Sequence, residues 1–158
     1  MTNEMKMRIA KDDDLAGLVS IAKRWIEDAD FARFGLDVVI SKGLSDLGEL
    51  ITGPNSDLFM LMKGEQCVGF MGIRSFPSPL GNNLVAEEHY LYVLPEHRGR
   101  GGLILLRAAN KWAKDNMCTH LILNASNLAS DMHDKTCKLY ECMGMSKFET
   151  SFICQVQE

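Results

Sequence analysis

The feature that constrains this chain most is a basic, glycine-rich turn between an apolar strand-like run and an apolar helix-like run. The first run ends near Val93, and the second begins at Leu103. The turn ends on Arg98, Gly99, Arg100, Gly101 and Gly102. Glycines let a backbone turn sharply and approach a ligand closely, and free amides at a helix N-terminus favour an anion. The turn therefore predicts a phosphate or pyrophosphate site, with positive charge added by the two arginines.

The same residues exclude two common nucleotide-binding loops. No Gly-Lys-Ser or Gly-Lys-Thr follows the turn, so it is not a P-loop. The dinucleotide pattern GxGxxG is absent, and the preceding segments predict an antiparallel meander rather than a βαβ unit. A basic glycine turn alone is also compatible with a solvated turn that binds nothing.

Apolar periodicity predicts one mixed α/β domain over residues 1–158, with the element order β-α-α-β-β-β-α-β-α-β. Alternation over residues 5–11 predicts a strand, and three aspartates before a helical repeat predict a helix ending near Asp28. The other predicted elements are a helix at 36–52, strands at 57–62, 67–74 and 85–94, a helix at 101–117, a strand at 119–124, a helix at 130–143 and a strand at 147–156.

Composition narrows the classes of partner. A net charge of −4 argues against binding many nucleic-acid phosphates, and no apolar run is long enough to cross a membrane. The first residues predict no secretory signal, and five cysteines without a CxxC pair predict reduced thiols in the cytoplasm. Cys118 with His120, and His133 with Cys137, have zinc-ligand spacing, but buried cysteine is common and we expect no metal.

Two motifs in this sequence resemble those of the GCN5-related N-acetyltransferases, the GNAT family. The stretch LYVLPEHRGRG, from Leu91 to Gly101, resembles the family's acetyl-CoA motif V-x-P-x-x-R-G-x-G. The stretch KLYECMGM, from Lys138 to Met145, resembles the family's later motif LYEKxGF. Both motifs occur in the family's order and on the expected elements, so the resemblance covers nearly the whole chain.

The resemblance implies a GNAT fold with a splayed sheet centre, where two neighbouring strands diverge and the pantetheine arm of acetyl-CoA inserts between them. It implies acetyl-CoA as co-substrate and no metal cofactor. By the same resemblance, the residues that contact the cofactor are Leu91, Tyr92, Val93, Arg98, Gly99, Arg100, Gly101, Gly102 and Leu103.

The resemblance also implies direct transfer of an acetyl group to a primary amine in a ternary complex. Tyr140 matches the family's thiolate-protonating tyrosine, and a phenol has a pKa close enough to that of a thiol for this role. The alternative is a core aromatic residue. Glu87 and His89 match positions where the family often places a base, and Glu88 between them is a third candidate. Strand alternation places His89 on the face of Glu87, Leu91 and Val93, unless a bulge shifts it.

Two departures from the family pattern keep a second function open. The family signature R-x-x-G-x-G/A falls on Arg98, Gly101 and Leu103, so its last small residue is Leu here. The family's usual Asn before the second motif has no clear match. The alternative is a non-catalytic acyl-CoA-binding sensor or structural protein of the same fold, and a longer acyl chain is a third option. Acidic residues near the expected acceptor channel favour a cationic small-molecule or protein amine, with no nucleic acid and no membrane as partner. Whether the chain forms a homodimer stays open.

Overall fold

The computed structural model describes residues 4–128 and 132–156. Within these residues one sheet is formed by β1 Met5–Ile9, β2 Ser56–Lys63, β3 Gln66–Pro77, β4 Leu84–Val93 and β5 His120–Ile122. The α-helices of the same residues are α1 Leu15–Asp28, α2 Ile40–Thr52, α3 Arg100–Asp115 and α4 His133–Cys142. The predicted element order is therefore confirmed from β1 to α4.

The sheet is sandwiched between two pairs of helices. Its order is β1-β2-β3-β4-β5, antiparallel from β1 to β4 and parallel between β4 and β5. Residues of β2 alternate between two apolar cores: Leu58 and Met60 pack with α1 and α2, while Phe59 and Leu61 pack with α3. Because both faces are covered, the strand is apolar from Leu58 to Met62.

A β-bulge interrupts β4 at His89. The register pairs Ile73 of β3 with Glu88 and Gly72 with Tyr90, so His89 has no partner on β3. A bulge adds one residue and shifts the alternation of side chains beyond it. The predicted grouping of His89 with the side chains after it is therefore wrong.

The faces of β4 follow from this bulge. Beyond it, Leu91 and Val93 pack with the α3 and α4 side chains, whereas Tyr90 and Tyr92 pack with α1 and α2. The side chain of His89 contacts α2 as well. The face that contains Leu91 and Val93 is thus separated from His89 by the sheet itself.

The centre of the sheet is splayed where the resemblance implied. The parallel ladder between β4 and β5 consists of Val85 with His120, Ala86 with Leu121 and Glu87 with Ile122. Beyond Glu87, β4 continues to Val93, and no described residue forms a ladder on that side of it. The result is an open strand edge that points towards the start of α3.

The final element differs from the prediction. Residues 147–156 form no strand, and none of their backbone groups has a backbone hydrogen bond within the described part of the chain. A strand needs a partner edge to pair with, and within the described residues no strand pairs with this segment. Phe148, Phe152 and Val156 consequently stay exposed.

The second helix also begins later than predicted, at Ile40 instead of residue 36. Val39 has extended backbone angles, and β-branched residues such as Val38 and Val39 weaken the start of a helix. No helix found in the described ranges has both the length and the apolar character needed to cross a membrane.

Candidate active site

The glycine-rich turn leads directly into the N-terminus of α3. Gly99 precedes the helix with a φ of 78°, which side chains other than glycine rarely adopt, and its carbonyl accepts a hydrogen bond from the Leu103 amide at 3.0 Å. The amides of residues 99 to 102 have no acceptor among the described residues. Free amides at the positive end of a helix dipole attract a phosphate.

The three glycines of the turn have different tasks. A Cβ on Gly101 would lie 2.8 Å from Leu61 Cδ2 and 3.1 Å from Val93 Cγ1, so Gly101 lets α3 pack closely on the sheet. A Cβ on Gly99 or on Gly102 would meet nothing within 4 Å. The surface beside Gly99 and Gly102 is therefore the side from which a ligand can reach the amides.

Arg98 is held on the opposite side of β4 from the α3 core. Its Nε donates to the Val93 carbonyl at 3.0 Å, Nη2 lies 3.9 Å from Asp28 Oδ2, and the guanidinium lies 5.9 Å from the ring centroid of Tyr92. The Tyr92 hydroxyl also donates to Asp28. Arg98 therefore fastens the turn to the end of β4 and to α1.

The remaining predicted cofactor residues lie around the same helix start. Arg100 is exposed and has no ion pair within residues 4–128 and 132–156. Leu103 is half-buried, and Leu91 and Val93 line the α3 face of β4. Tyr92 points to the other face. The turn and the backbone of the last residues of β4 therefore lie together at the start of α3. The side chains of Tyr92 and Arg98 point instead towards α1.

Tyr140 of α4 reaches the point where β4 and β5 separate. Its hydroxyl donates to the Asn124 carbonyl at 3.2 Å. The Asn124 amide in turn donates to Glu88 Oε2 at 2.9 Å, and the Asn124 side-chain amide donates to the Glu88 carbonyl at 2.9 Å. Glu88, Asn124 and Tyr140 therefore form one hydrogen-bonded cluster, which we call the branch-point cluster.

The branch-point cluster contains a buried carboxyl group. Glu88 is only 6% exposed, and burial raises its pKa to about 7, against the opposing effect of the Asn124 amide. Tyr140 is 8% exposed, and burial together with the nearby charge of Glu88 holds its pKa above the usual value. The phenol is therefore protonated at neutral pH and can act as a proton donor.

A second polar group lies across the sheet from the branch-point cluster. His89 Nε2 lies 2.8 Å from Asp46 Oδ2 on α2, and the Tyr90 hydroxyl donates to the same oxygen. Partial burial acts to raise the pKa of Asp46, but the hydrogen bonds from Tyr90 and His89 outweigh it and leave the pKa below its usual value. An ionised Asp46 orients the imidazole and leaves Nδ1 of His89 available for a proton.

Glu87 takes no part in either group. It is half-buried and lies opposite Arg74 in the β3–β4 register. The structure thus separates the three acidic and basic candidates of β4: Glu88 belongs to the branch-point cluster, His89 pairs with Asp46, and Glu87 belongs to neither group. Sequence reasoning missed Asp46 and the pairing of Asn124, because both depend on contacts between elements distant in sequence.

The residues with zinc-ligand spacing do not assemble a site. Cys137 Sγ lies 3.9 Å from His133 Nε2, at the limit of a sulfur hydrogen bond. Among the residues with a described position, no group of three His, Cys, Asp or Glu side chains could hold a metal ion.

The fold and the site together define a mixed α/β protein with a splayed sheet and a basic, glycine-rich turn at a helix N-terminus. The sequence model of the Acetyltransferase (GNAT) family matches residues 25–145, which include both motifs. The chain belongs to this family. No curated protein sequence is detectably similar to it.

Solved structures share the fold at low sequence identity. A ribosomal-protein-alanine N-acetyltransferase from Brucella melitensis biovar Abortus 2308 is 17% identical, with a TM-score of 0.73 over 98% of this chain and 100% of that one. The aminoglycoside N-acetyltransferase AAC(6')-Iy in complex with CoA is 17% identical, with a TM-score of 0.74 over 99% of this chain and 97% of that one. A transcriptional regulator from Bacillus halodurans C-125 is 18% identical, with a TM-score of 0.70 over 97% and 100%.

Proposed function

We propose that this chain is an N-acetyltransferase that transfers an acetyl group from acetyl-CoA to a primary amine by direct attack in a ternary complex. One observation carries the proposal: the open edge of β4 beyond Glu87 leads to the free amides before α3. An open edge can pair with an extended amide-containing arm, and the amides suit a pyrophosphate. The open edge and the free amides follow one another along the chain, in the order of the pantetheine arm and the pyrophosphate of a CoA ester.

The reaction exchanges one bond for another. The amine nitrogen forms a bond to the acyl carbon, the bond from that carbon to sulfur breaks, and the amine loses a proton while the sulfur gains one. When bound, acetyl-CoA supplies the activated acyl carbon. The protein has to accept the first proton and donate the second.

Tyr140 is the proposed donor and His89 the proposed acceptor. The phenol of Tyr140 lies at the branch point and is kept protonated by burial and by Glu88. The imidazole of His89 is oriented by Asp46 in the way that a general base is commonly held by a carboxylate. Glu87, which is half-buried one step before the branch point, is the alternative base.

The proposed acceptor is a cationic amine on a small molecule or on a protein. Acidic side chains of α1, α2 and β4, such as Asp28, Asp46 and Glu87, lie on or near the face that carries His89. Acceptors of both kinds are named for structurally similar acetyltransferases, a ribosomal protein in one case and an aminoglycoside in another. The five free cysteines support a cytoplasmic location.

Free-thiol release from acetyl-CoA in the presence of a pool of amines tests this function. The pool should contain polyamines, aminoglycosides and peptides with free N-termini or lysines. We expect release with at least one acceptor class, and a loss of release in His89→Ala that exceeds the loss in Glu87→Gln. A greater loss in Glu87→Gln would move the base to Glu87.

The second candidate function is acyl-CoA binding without turnover. Leu103 favours it, because its bulk replaces the small residue of the family signature at the start of α3. The regulator from Bacillus halodurans C-125 has the same fold, so the fold is not confined to proteins named as enzymes. CoA binding in calorimetry together with no thiol release across the whole amine pool would favour this candidate.

A further inference from the structure

The connection between β4 and β5 does not end with the ladder. One step beyond the pair of Glu87 and Ile122, the strands are joined by side-chain hydrogen bonds instead of backbone ones. Asn124 donates from its backbone amide to Glu88 Oε2 and from its side chain to the Glu88 carbonyl, both at 2.9 Å. These two bonds fix where the strands part and fix the orientation of the peptide at Asn124.

The same residue also contacts Tyr140. The third polar group of Asn124, its carbonyl, accepts a hydrogen bond from the Tyr140 hydroxyl at 3.2 Å. Because Glu88 holds both the amide and the side chain of Asn124, the Cα from which this carbonyl extends is fixed relative to β4. The position of the phenol oxygen therefore depends on residues of two strands as well as on its own helix.

The charge of Glu88 acts on the same hydroxyl. Among titratable groups, Glu87 on the same strand acts on Glu88, while Glu88 and Cys137 act on Tyr140. Glu88 has no ion pair within the described residues. Its negative form raises the pKa of the nearby Tyr140 phenol.

We propose that Glu88 and Asn124 are positioning residues for the Tyr140 hydroxyl, acting through the hydrogen bonds of the branch-point cluster. This inference rests on the proposed function, in which Tyr140 donates the proton to the leaving sulfur. Neither residue donates or accepts a proton in the reaction. Their contribution is to hold the phenol oxygen in place.

A double-mutant cycle tests the inference. We expect Asn124→Ala to lower kcat about tenfold, with a KM for acetyl-CoA within about threefold of the original, since one hydrogen bond contributes on the order of a tenfold effect. In a Tyr140→Phe background, Asn124→Ala should cost nothing further, because the hydroxyl it positions is gone. Asn110→Ala, an exposed asparagine on α3, is the matched control and should leave kcat unchanged.

The Glu88→Gln variant separates the effect of the hydrogen bond at residue 88 from the effect of its negative charge. Gln keeps an acceptor for the Asn124 amide, so kcat should fall less than in Asn124→Ala, and any dependence of kcat on an ionisation near neutral pH should disappear. Equal losses from Asn124→Ala with and without the Tyr140 hydroxyl would overturn the inference.

An NMR experiment reads the cluster without an acceptor. In wild type the Asn124 amide shift should titrate near neutral pH and should become flat in Glu88→Gln, while the Tyr140 13Cζ shift should move in Asn124→Ala. A Tyr140 13Cζ shift that is unchanged in Asn124→Ala would overturn the positioning role of Asn124, even if the enzyme is active. Absence of thiol release from wild type, with these shifts as expected, would instead overturn the proposed function and leave the cluster as drawn.

Discussion

Tyr140, Gly102 and Glu88 each allow one property of the site to be changed by a single substitution. Tyr140 combines a buried ring with a hydroxyl at the branch point, so packing and chemistry can be separated by removing one atom. Gly102 presents only backbone to the ligand side of α3. Glu88 is a buried acid whose protonation is coupled to folding.

Replacing Tyr140 with Phe should lower kcat by roughly a hundred- to ten-thousandfold, the usual contribution of one general acid. CoA affinity should change little, because the phenol acts only as the sulfur leaves. Thiol-release kinetics and calorimetry measure the two quantities. Wild-type turnover in this variant, with chemistry rate-limiting, would make Tyr140 a core aromatic residue.

Gly102→Val should weaken CoA binding by about tenfold or more, since a β-branched side chain would cover the amides of the turn. The thermal midpoint should move little, because a Cβ at this position meets nothing within 4 Å. Gly101→Val is the contrasting variant: its Cβ would overlap Leu61, so it should destabilise the fold by about 1–3 kcal/mol. Calorimetry and thermal denaturation distinguish the two, and unchanged CoA affinity in Gly102→Val would remove the anion site from this turn.

Glu88 should make stability depend on pH. Its pKa rises from 4.5 in the unfolded chain to about 7 in the fold, so the folded state binds the proton more tightly. Stability is therefore greatest at low pH on this account and declines as pH rises through about 4.5 to 7, by up to about 3 kcal/mol.

Glu88→Gln removes this decline. The thermal midpoint of the variant should exceed that of wild type at pH 8.5 by several degrees more than it does at pH 5. The expected scale is about 2–4 °C for each kcal/mol in a chain of this length. A difference that stays the same at both pH values would show that Glu88 keeps an ordinary pKa.

At the scale of elements, the parts of the fold set by local sequence could be predicted and the parts set by pairing could not. The glycine turn and the helix bearing Tyr140 are short local signals, and both lie where the sequence predicted them. The bulge at His89 depends on the register against Gly72, and the contact between His89 and Asp46 depends on how α2 packs. Neither the bulge nor the contact with Asp46 produces a periodic pattern in the sequence.

Residues 147–156 are predicted as a strand but form none, because strand formation depends on pairing. Residues 147–156 have a strand-like composition, but a strand exists only when a neighbouring edge is available. A chain that stops after Ser146 should therefore keep its fold, with a change in unfolding free energy below about 1 kcal/mol, since the described residues it loses are mostly exposed and have no backbone hydrogen bonds. Denaturant unfolding of the two chains measures the difference. A loss of several kcal/mol would mean that this segment pairs with an edge in solution.

At the scale of the whole molecule, CoA should stabilise the protein through mass action. A ligand at one hundred times its Kd adds about 2.7 kcal/mol to the free energy of unfolding. For a chain of this length that corresponds to a rise of roughly 5–10 °C in thermal midpoint. Pantetheine, which lacks the pyrophosphate, should give a much smaller rise at the same concentration. Equal shifts from both compounds would indicate that the turn before α3 contributes nothing to binding.

The bulge at His89 affects where protons would be accepted and donated in a catalytic cycle. It places the proposed acceptor of the amine proton on the α2 side of the sheet and the proposed donor, Tyr140, on the α4 side. Under the proposed function, each turnover would add a proton on one side and remove a proton on the other, with a layer of backbone between them. Solvent and buffer molecules would then have to restore both groups, so the dependence of turnover on buffer concentration measures how separate the two sides are.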